Sequence, residues 1–196
     1  MSNKRPTASN AKLIVLSAPS GAGKSTLCTL LLAKHPRFKI SISHTTRKPR
    51  GEEQHGTHYF FISEKEFQEM ISRNDFLEYA HVFGRSWYGT SKQQVEDALA
   101  QNFHVVFDID VQGARALKQI YGKRCVTIFV LPPSFEELEK RLRARATESE
   151  SAIQSRLETA KKELREATHF DHQIVNQELS QAMKELETIL TEEDCL

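Results

Sequence analysis

The residues with the most chemistry in their spacing form one loop, Ala18-Pro19-Ser20-Gly21-Ala22-Gly23-Lys24-Ser25. It lies between an apolar run, Leu13-Ile14-Val15-Leu16-Ser17, and a stretch with helical spacing at Leu27, Leu30 and Leu31. A strand, a glycine-bearing turn and a helix start in that order make a phosphate-binding loop, close to G-x-x-x-x-G-K-[S/T]. The glycines let backbone N–H groups turn inward onto phosphate oxygens, and the helix start adds a dipole that favours anions. Lys24 suits the β- and γ-phosphates, and the Ser25 hydroxyl suits Mg²⁺. Ala18 stands where the strict pattern has its first glycine. Alanine serves there if its φ is negative, since only positive φ strongly favours glycine.

Further residues bear chemistry, each with a plainer alternative. Arg47 and Arg50 lie within four positions on a polar stretch punctuated by Pro49, Gly51 and Gly56. They fit a bidentate clamp on one dianion, or a solvated basic turn. Tyr59 and Tyr88 offer phenolic donors to the same anion, or fill a core. Asp108 and Asp110 close the apolar run that begins at His104. Alternate residues of a strand share a face, and the carboxyl end of a central strand is where open α/β sheets bind ligands. The pair suits Mg²⁺ through its waters, a substrate's donors, or a strand leaving into solvent. Glu78 and Glu53 are candidates for reading a base. Guanine presents N1–H and N2–H₂ side by side, and an acceptor-only carboxylate matches both, whereas adenine's N1 is itself an acceptor. Ser43 and Thr90 suit the edge of such a pocket or a surface. Arg141 and Arg145, one helical turn apart, and Arg156 beyond a linker suit a lid over a transferring phosphoryl group. They also suit a basic helix face balanced by Glu136, Glu137 and Glu139.

The elements that must position these groups alternate. Strands are expected at 12–17, 38–43, 57–62, 104–110, 125–131 and 173–176, and helices from 24, 63, 91, 114, 134 and 179, with a longer one after a linker at 146–151. Ser63 with Glu66, and Ser134 with Glu137, have the spacing of capping boxes. Nearly continuous apolar strands alternating with helices predict an α/β parallel sheet with right-handed crossovers, its middle interrupted by a small mixed subdomain rich in aromatics. A chain of 196 residues fits one domain. A net charge of +1 argues against a general nucleic-acid surface. No apolar run approaches the roughly 20 residues of a membrane span, and Met1 to Asn10 reads as a disordered lead with no signal-peptide core. Cys28, Cys125 and Cys195 have no ligand spacing and read as free thiols of a reducing cytoplasm.

Taken in series, these stretches resemble the guanylate kinase family, P-loop nucleoside monophosphate kinases, over about 12–190. The carrying motifs are Ser17 to Ser25, Ser41-Ile42-Ser43-His44-Thr45-Thr46-Arg47-Lys48-Pro49-Arg50, Phe76-Leu77-Glu78-Tyr79-Ala80 and Tyr88-Gly89-Thr90. Asp108-Ile109-Asp110-Val111-Gln112-Gly113, Leu131-Pro132-Pro133-Ser134 and Arg141-Leu142-Arg143-Ala144-Arg145 complete them.

The resemblance implies an ATP:GMP phosphotransferase requiring Mg²⁺, with Ser25 and Asp108 toward the metal and Ala18 to Ser25 holding ATP. It implies Asn176 near the adenine, and Ser43, Glu78, Thr90 and Asp110 around the guanine. Arg47, Arg50, Tyr59 and Tyr88, with Glu53 nearby, would frame the GMP phosphate, and Lys24, Arg47, Arg141, Arg145 and Arg156 would carry the transfer. The domain at 11–190 would divide into a core (11–37, 91–133, 166–190), a GMP-binding insertion (38–90) and a lid (134–165), with a tail at 191–196. The chain departs from the family pattern at Gly51-Glu52-Glu53, in one extra residue before Trp87-Tyr88-Gly89, and at Ala144 and Ala146 where the lid usually has glycine. Two alternatives stay open: a scaffold module whose GMP site takes a peptide, and a kinase for another mononucleotide such as AMP or dTMP.

Overall fold

The computed structural model describes residues 10–82, 85–144 and 150–196. The expected lead at 1–9, Gly84, and Arg145 with most of the lid linker lie outside the described residues.

The apolar run at the start becomes β1 (Leu13–Ser17), all five residues buried. It occupies the middle of a five-stranded sheet of order β2-β7-β1-β8-β9, with β2 (Phe38–Ile40), β7 (His104–Asp108), β8 (Cys125–Leu131) and β9 (His172–Val175). Every pairing in it is parallel. A strand with neighbours on both edges and helices on both faces has no wet side, so it reads apolar throughout. Ile14 and Leu16 point to one core, under α1 (Lys24–Lys34) and α7 (Leu179–Glu192), with Leu27, Leu31, Leu186 and Leu190. Leu13 and Val15 point to the other, under α3 (Lys92–Ala100) and α4 (Val111–Tyr121), with Val95, Leu99 and Leu117.

The second sheet has order β4-β3-β6-β5. Its strands are β3 (His44–Thr45), β4 (Phe60–Phe61), β5 (Phe76–Val82) and β6 (Ser86–Ser91). Helix α2 (Glu64–Ser72) packs on it and begins with the expected capping box between Ser63 and Glu66. Phe67 of α2 is fully buried, with its ring stacked 4.5 Å from that of Phe76 and 5.8 Å from that of Trp87. Gly89 makes that approach possible. A Cβ there would stand 3.0 Å from Phe76 and Tyr79 and 3.1 Å from Phe67. Helices α5 (Phe135–Ala144) and α6 (Glu150–Glu166) form the remaining layer, joined through Leu138, Leu142, Ile153, Leu157 and Ala160. Ser134 Oγ accepts from Glu137 N at 3.1 Å, but the Glu137 carboxylate turns to Arg141 and leaves that box half made.

Several boundaries differ from those expected. The strand at 38–43 shrinks to β2, Phe38–Ile40, which pairs with β7 in the large sheet, and the chain joins the small sheet only at β3, which pairs with β4 and β6. The sheets therefore part after Ile40, not at 38. The strand at 57–62 shrinks to Phe60–Phe61, because the chain turns at Gly56 with φ +79. The strand at 104–110 ends at Asp108, and Asp110 caps α4 by accepting from Gln112 N and Gly113 N. Residues 191–196 are no tail. Helix α7 runs to Glu192, Asp194 turns the chain at φ +54, and Cys195 N returns to Leu190 O at 2.8 Å. That closes the helix end with a bond of the C-capping kind and leaves Cys195 only 1% exposed in the core.

Deleting a fully buried phenylalanine removes its transfer free energy and leaves a cavity. Phe67→Ala is expected to destabilise the protein by about 3 kcal/mol, read from urea unfolding, with the Trp87 fluorescence transition moving to lower urea.

Candidate functional site

The phosphate loop leaves the carboxyl end of β1 and runs into α1. Gly21 (φ +95) and Gly23 (φ +94) take the left-handed conformation that turns successive amides to one side. Ala18 is not among the described residues at positive φ, so the alanine in place of the usual glycine costs no strain. The first turn of α1 carries no acidic residue to compete for an anion. Lys24 Nζ donates to Ile109 O at 3.0 Å and pairs with Asp108 Oδ1 at 2.6 Å. Ser25 Oγ donates to Asp108 Oδ2 at 2.6 Å. One carboxylate, at the end of the strand next to β1, thus holds both loop side chains.

Asn176 follows β9. Asn176, 6% exposed, donates from side-chain Nδ2 to Ala22 O at 2.8 Å, which ties the amide expected near a base to the loop. Arg141 Nε donates to Glu137 Oε1 at 3.2 Å, and both its terminal nitrogens lie 3.5 Å from Asn176 O. Arg156, on α6, reaches Ser20 Oγ at 3.3 Å. Leu138 and Leu142 of α5 rest on Gly21, where a Cβ would stand 3.3 Å from Leu138 Cδ1. Sequence reasoning missed Glu163, which lines the loop's pocket of about 350 Å³ with Lys24, Asp108 and Asp110. Burial pushes its carboxyl up, Asp110 adds to that, and Lys24 opposes it. The signal was its place two helical turns after Arg156, on the same face of α6.

Across the cleft, Arg47 is fully engaged. Its Nε donates to Tyr88 OH at 3.1 Å and its Nη1 to Lys48 O at 2.8 Å. The fork is bidentate on Glu53, at 2.8 and 3.0 Å. Glu53 also accepts from Arg50 N at 2.8 Å. Hydrogen bonds from Arg47, then from Arg50 N, hold the Glu53 carboxyl down at about 2. Glu53 therefore serves the arginine, not a base. The Tyr59 ring lies 5.2 Å from the Arg47 guanidinium and 6.0 Å from the Tyr88 ring. Arg50 is exposed on the adjoining turn.

Glu78 and Thr90 are cross-strand partners on β5 and β6, and Thr90 Oγ1 donates to Glu78 Oε1 at 2.6 Å. Burial raises the Glu78 carboxyl; the Thr90 bond opposes this and the charge of Asp110 adds to it. Ser43 lines a cleft of about 480 Å³ with Tyr59, Ser25 and Asp108. Ser25 and Asp108 also line the loop's pocket. The two spaces therefore meet at those residues, between one set of anion-binding groups and the other.

The guanylate kinase family model matches residues 10–193. The chain is 45% identical over 181 residues to a guanylate kinase of Rickettsia bellii, covering 92% of this chain and 94% of that one. It is 47% identical over 172 residues to one of Bacteroides fragilis, covering 88% and 84%. The crystal structure of guanylate kinase from Anaplasma phagocytophilum is similar at TM-score 0.74 and 31% identity, over 93% of this chain and 86% of that one. A shikimate kinase from Bacteroides thetaiotaomicron, at TM-score 0.52 and 16% identity over 92% and 98%, shares the fold alone.

A carboxyl whose pKa is raised by folding contributes stability below its unfolded pKa and loses it as pH rises through the folded one. Glu78→Gln removes that loss. The variant is expected to melt higher than the parent at pH 7, with the gap closing as pH falls below about 4 in a thermal-melt series.

Proposed function

The chain belongs to the guanylate kinase family, and from that premise we propose that it transfers the γ-phosphoryl group of ATP to GMP or dGMP, reversibly, giving ADP and GDP. The observation that carries this reading is the meeting of the loop's pocket with the Ser43–Tyr59 cleft at Ser25 and Asp108. A donor phosphate in one and an acceptor phosphate in the other would face each other there. The reading divides the chain into a core, a GMP-binding insertion beginning after Ile40, and a lid of α5 and α6.

The second pKa of a phosphate monoester is near 6, so the acceptor oxygen is already an anion at pH 7 and needs no general base. The barrier lies in bringing two polyanions together and in the charge spread over the transferring group. Lys24 and the loop amides take the donor phosphates. Arg47, Arg50, Tyr59 and Tyr88 take the acceptor phosphate, with Glu53 setting the Arg47 fork. Arg141 and Arg156 are the described arginines that would close over the transfer; the expected Arg145 lies outside the described residues. Ser25 Oγ and Asp108 Oδ2, 2.6 Å apart, are the hard oxygen donors that Mg²⁺ favours. They would hold the ion, which supplies charge neutralisation on the phosphates when bound.

Guanine is chosen by Glu78, with Ser43, Thr90 and Asp110 at its rim. Asp110 Oδ1 takes both α4 amides, which leaves Oδ2 for a ligand. Small-molecule substrates alone account for these groups, and neither nucleic acid nor membrane is needed; no helix among the described residues is long and apolar enough to cross a bilayer. Three free, buried cysteines suit a cytoplasmic setting.

Coupled ADP release tests this reading. GMP and dGMP are expected to turn over, and AMP and dTMP to fall roughly a hundredfold or more in kcat/KM, since neither base offers the carboxylate guanine's two adjacent donors. Equal turnover of AMP and GMP would overturn the specificity. Lys24→Ala is expected to lose on the order of 10²–10³ in kcat, by analogy with a lost oxyanion donor. A wild-type protein with no turnover that binds a peptide in the Glu78 pocket would be a scaffold module.

A further inference from the structure

We propose that Asn176 is a positioning residue of the phosphate loop, one that aims the loop's amides whatever else it touches. The inference rests on the reading of that loop as the donor site and goes beyond it.

The backbone of Asn176 is fixed first. Its N–H donates to Leu131 O at 2.8 Å, continuing the ladder between β9 and β8 past the last residue of β9. The side chain then passes beneath the loop, buried, with Nδ2 2.8 Å from Ala22 O. The reversed amide would set two acceptors against each other, so only this orientation fits. In a trans peptide the C=O and N–H point in opposite directions. Holding the Ala22 carbonyl down against Asn176 therefore turns the Gly23 N–H the other way, into the concavity that receives phosphate.

The fit allows no slack. A Cβ built on Gly23 would overlap Asn176 Nδ2, so the side chain fills the space against that glycine. Gly23 also sits at φ +94, a conformation it would leave readily if the carbonyl before it were free to swing. On its other side Asn176 offers its carbonyl to Arg141, 3.5 Å from each terminal nitrogen, which ties the same residue to α5. The group beneath the loop must be a neutral donor of this length. Alanine supplies no donor, and an aspartate places an acceptor against an acceptor and a negative charge under the phosphates.

Equilibrium binding of ATP, GMP and base-free inorganic tripolyphosphate, to the wild type, Asn176→Ala and Asn176→Asp, tests this. Each variant is expected to lose roughly tenfold or more in affinity for ATP and for tripolyphosphate alike, the loss of one hydrogen bond with its buried acceptor left unpaired. GMP affinity should stay within about twofold, since a bond that far from the acceptor cleft is not shared with it. Loss for ATP with tripolyphosphate unchanged would make Asn176 a base contact and overturn the proposal. Equal loss for GMP would reduce it to a general structural role, and overturn it too. Should Asn176→Ala fail to fold, the isosteric Asn176→Asp carries the same comparison. A wild type that bound no tripolyphosphate would instead overturn the reading of the loop itself. A wild type that bound it, matched by both variants, would overturn the positioning role alone.

Discussion

Lys24 and Arg47 each meet a carboxylate of the protein before any nucleotide arrives. Asp108 lies 2.6 Å from Lys24 Nζ, and Glu53 grips the Arg47 fork at 2.8 and 3.0 Å. The two cations have side-chain exposures of only 16% and 11%, so leaving either unpaired would carry a large desolvation cost. A phosphate that comes in therefore finds both cations already in place. Preorganised cations facing the point where charge develops are what phosphoryl transfer requires. The arrangement depends on strand order. Asp108 lies in register with Leu16 because β7 is the direct neighbour of β1, which sets the carboxylate beside the first turn of α1. Neither the loop motif nor the acidic strand end would do this alone.

The loop is consequently held from three directions. Asp108 ties its side chains, Asn176 tethers its backbone at Ala22, and Leu138 and Leu142 rest on Gly21. Helix α5 is thus part of the loop's support, anchored by two fully or nearly buried leucines, Leu138 at 0% and Leu142 at 5%. Helix α6 touches the loop more lightly, through Arg156 at Ser20. It also packs on α5 through Ile153, Leu157 and Ala160 and is tied to α4 by the Arg115–Glu166 pair.

Much of this was legible in the residues because local rules carried it. The phosphate loop, the Ser63–Glu66 box and the parallel core each follow from a short pattern with one physical solution. What failed was partner choice. The alternation at 38–43 shows a half-buried strand but not which sheet it joins, and the chain there changes sheets between Ile40 and His44. The C-terminal segment looked polar and short, yet a single left-handed residue, Asp194, folds Cys195 back under α7. Glu53 looked able to read a base because any carboxylate can, and its commitment to Arg47 and Arg50 N arises from the turn between them. The bond from Asn176 to Ala22 spans 154 residues, where no spacing rule reaches.

The remaining tension is acidic. Glu78, Asp110 and Glu163 stand close enough that Asp110 raises both glutamates, on top of what burial does to each. Two buried glutamates near one aspartate are a poor choice for stability, and a fold selected for that alone would replace them with amides or apolar groups. Their retention makes sense if the missing donors belong to a ligand. Thr90 supplies Glu78 with one hydrogen bond at 2.6 Å, while an ionised carboxylate has room for about four. A guanine edge brings two adjacent N–H donors, which both satisfies that capacity and favours the charged form that burial opposes. A base with an acceptor at the same place would leave the carboxylate unsatisfied and the repulsion unrelieved. In this reading the cost of burying Glu78 and its preference among bases have one cause, since an unmet acceptor capacity is unfavourable in the fold and penalises the wrong ligand.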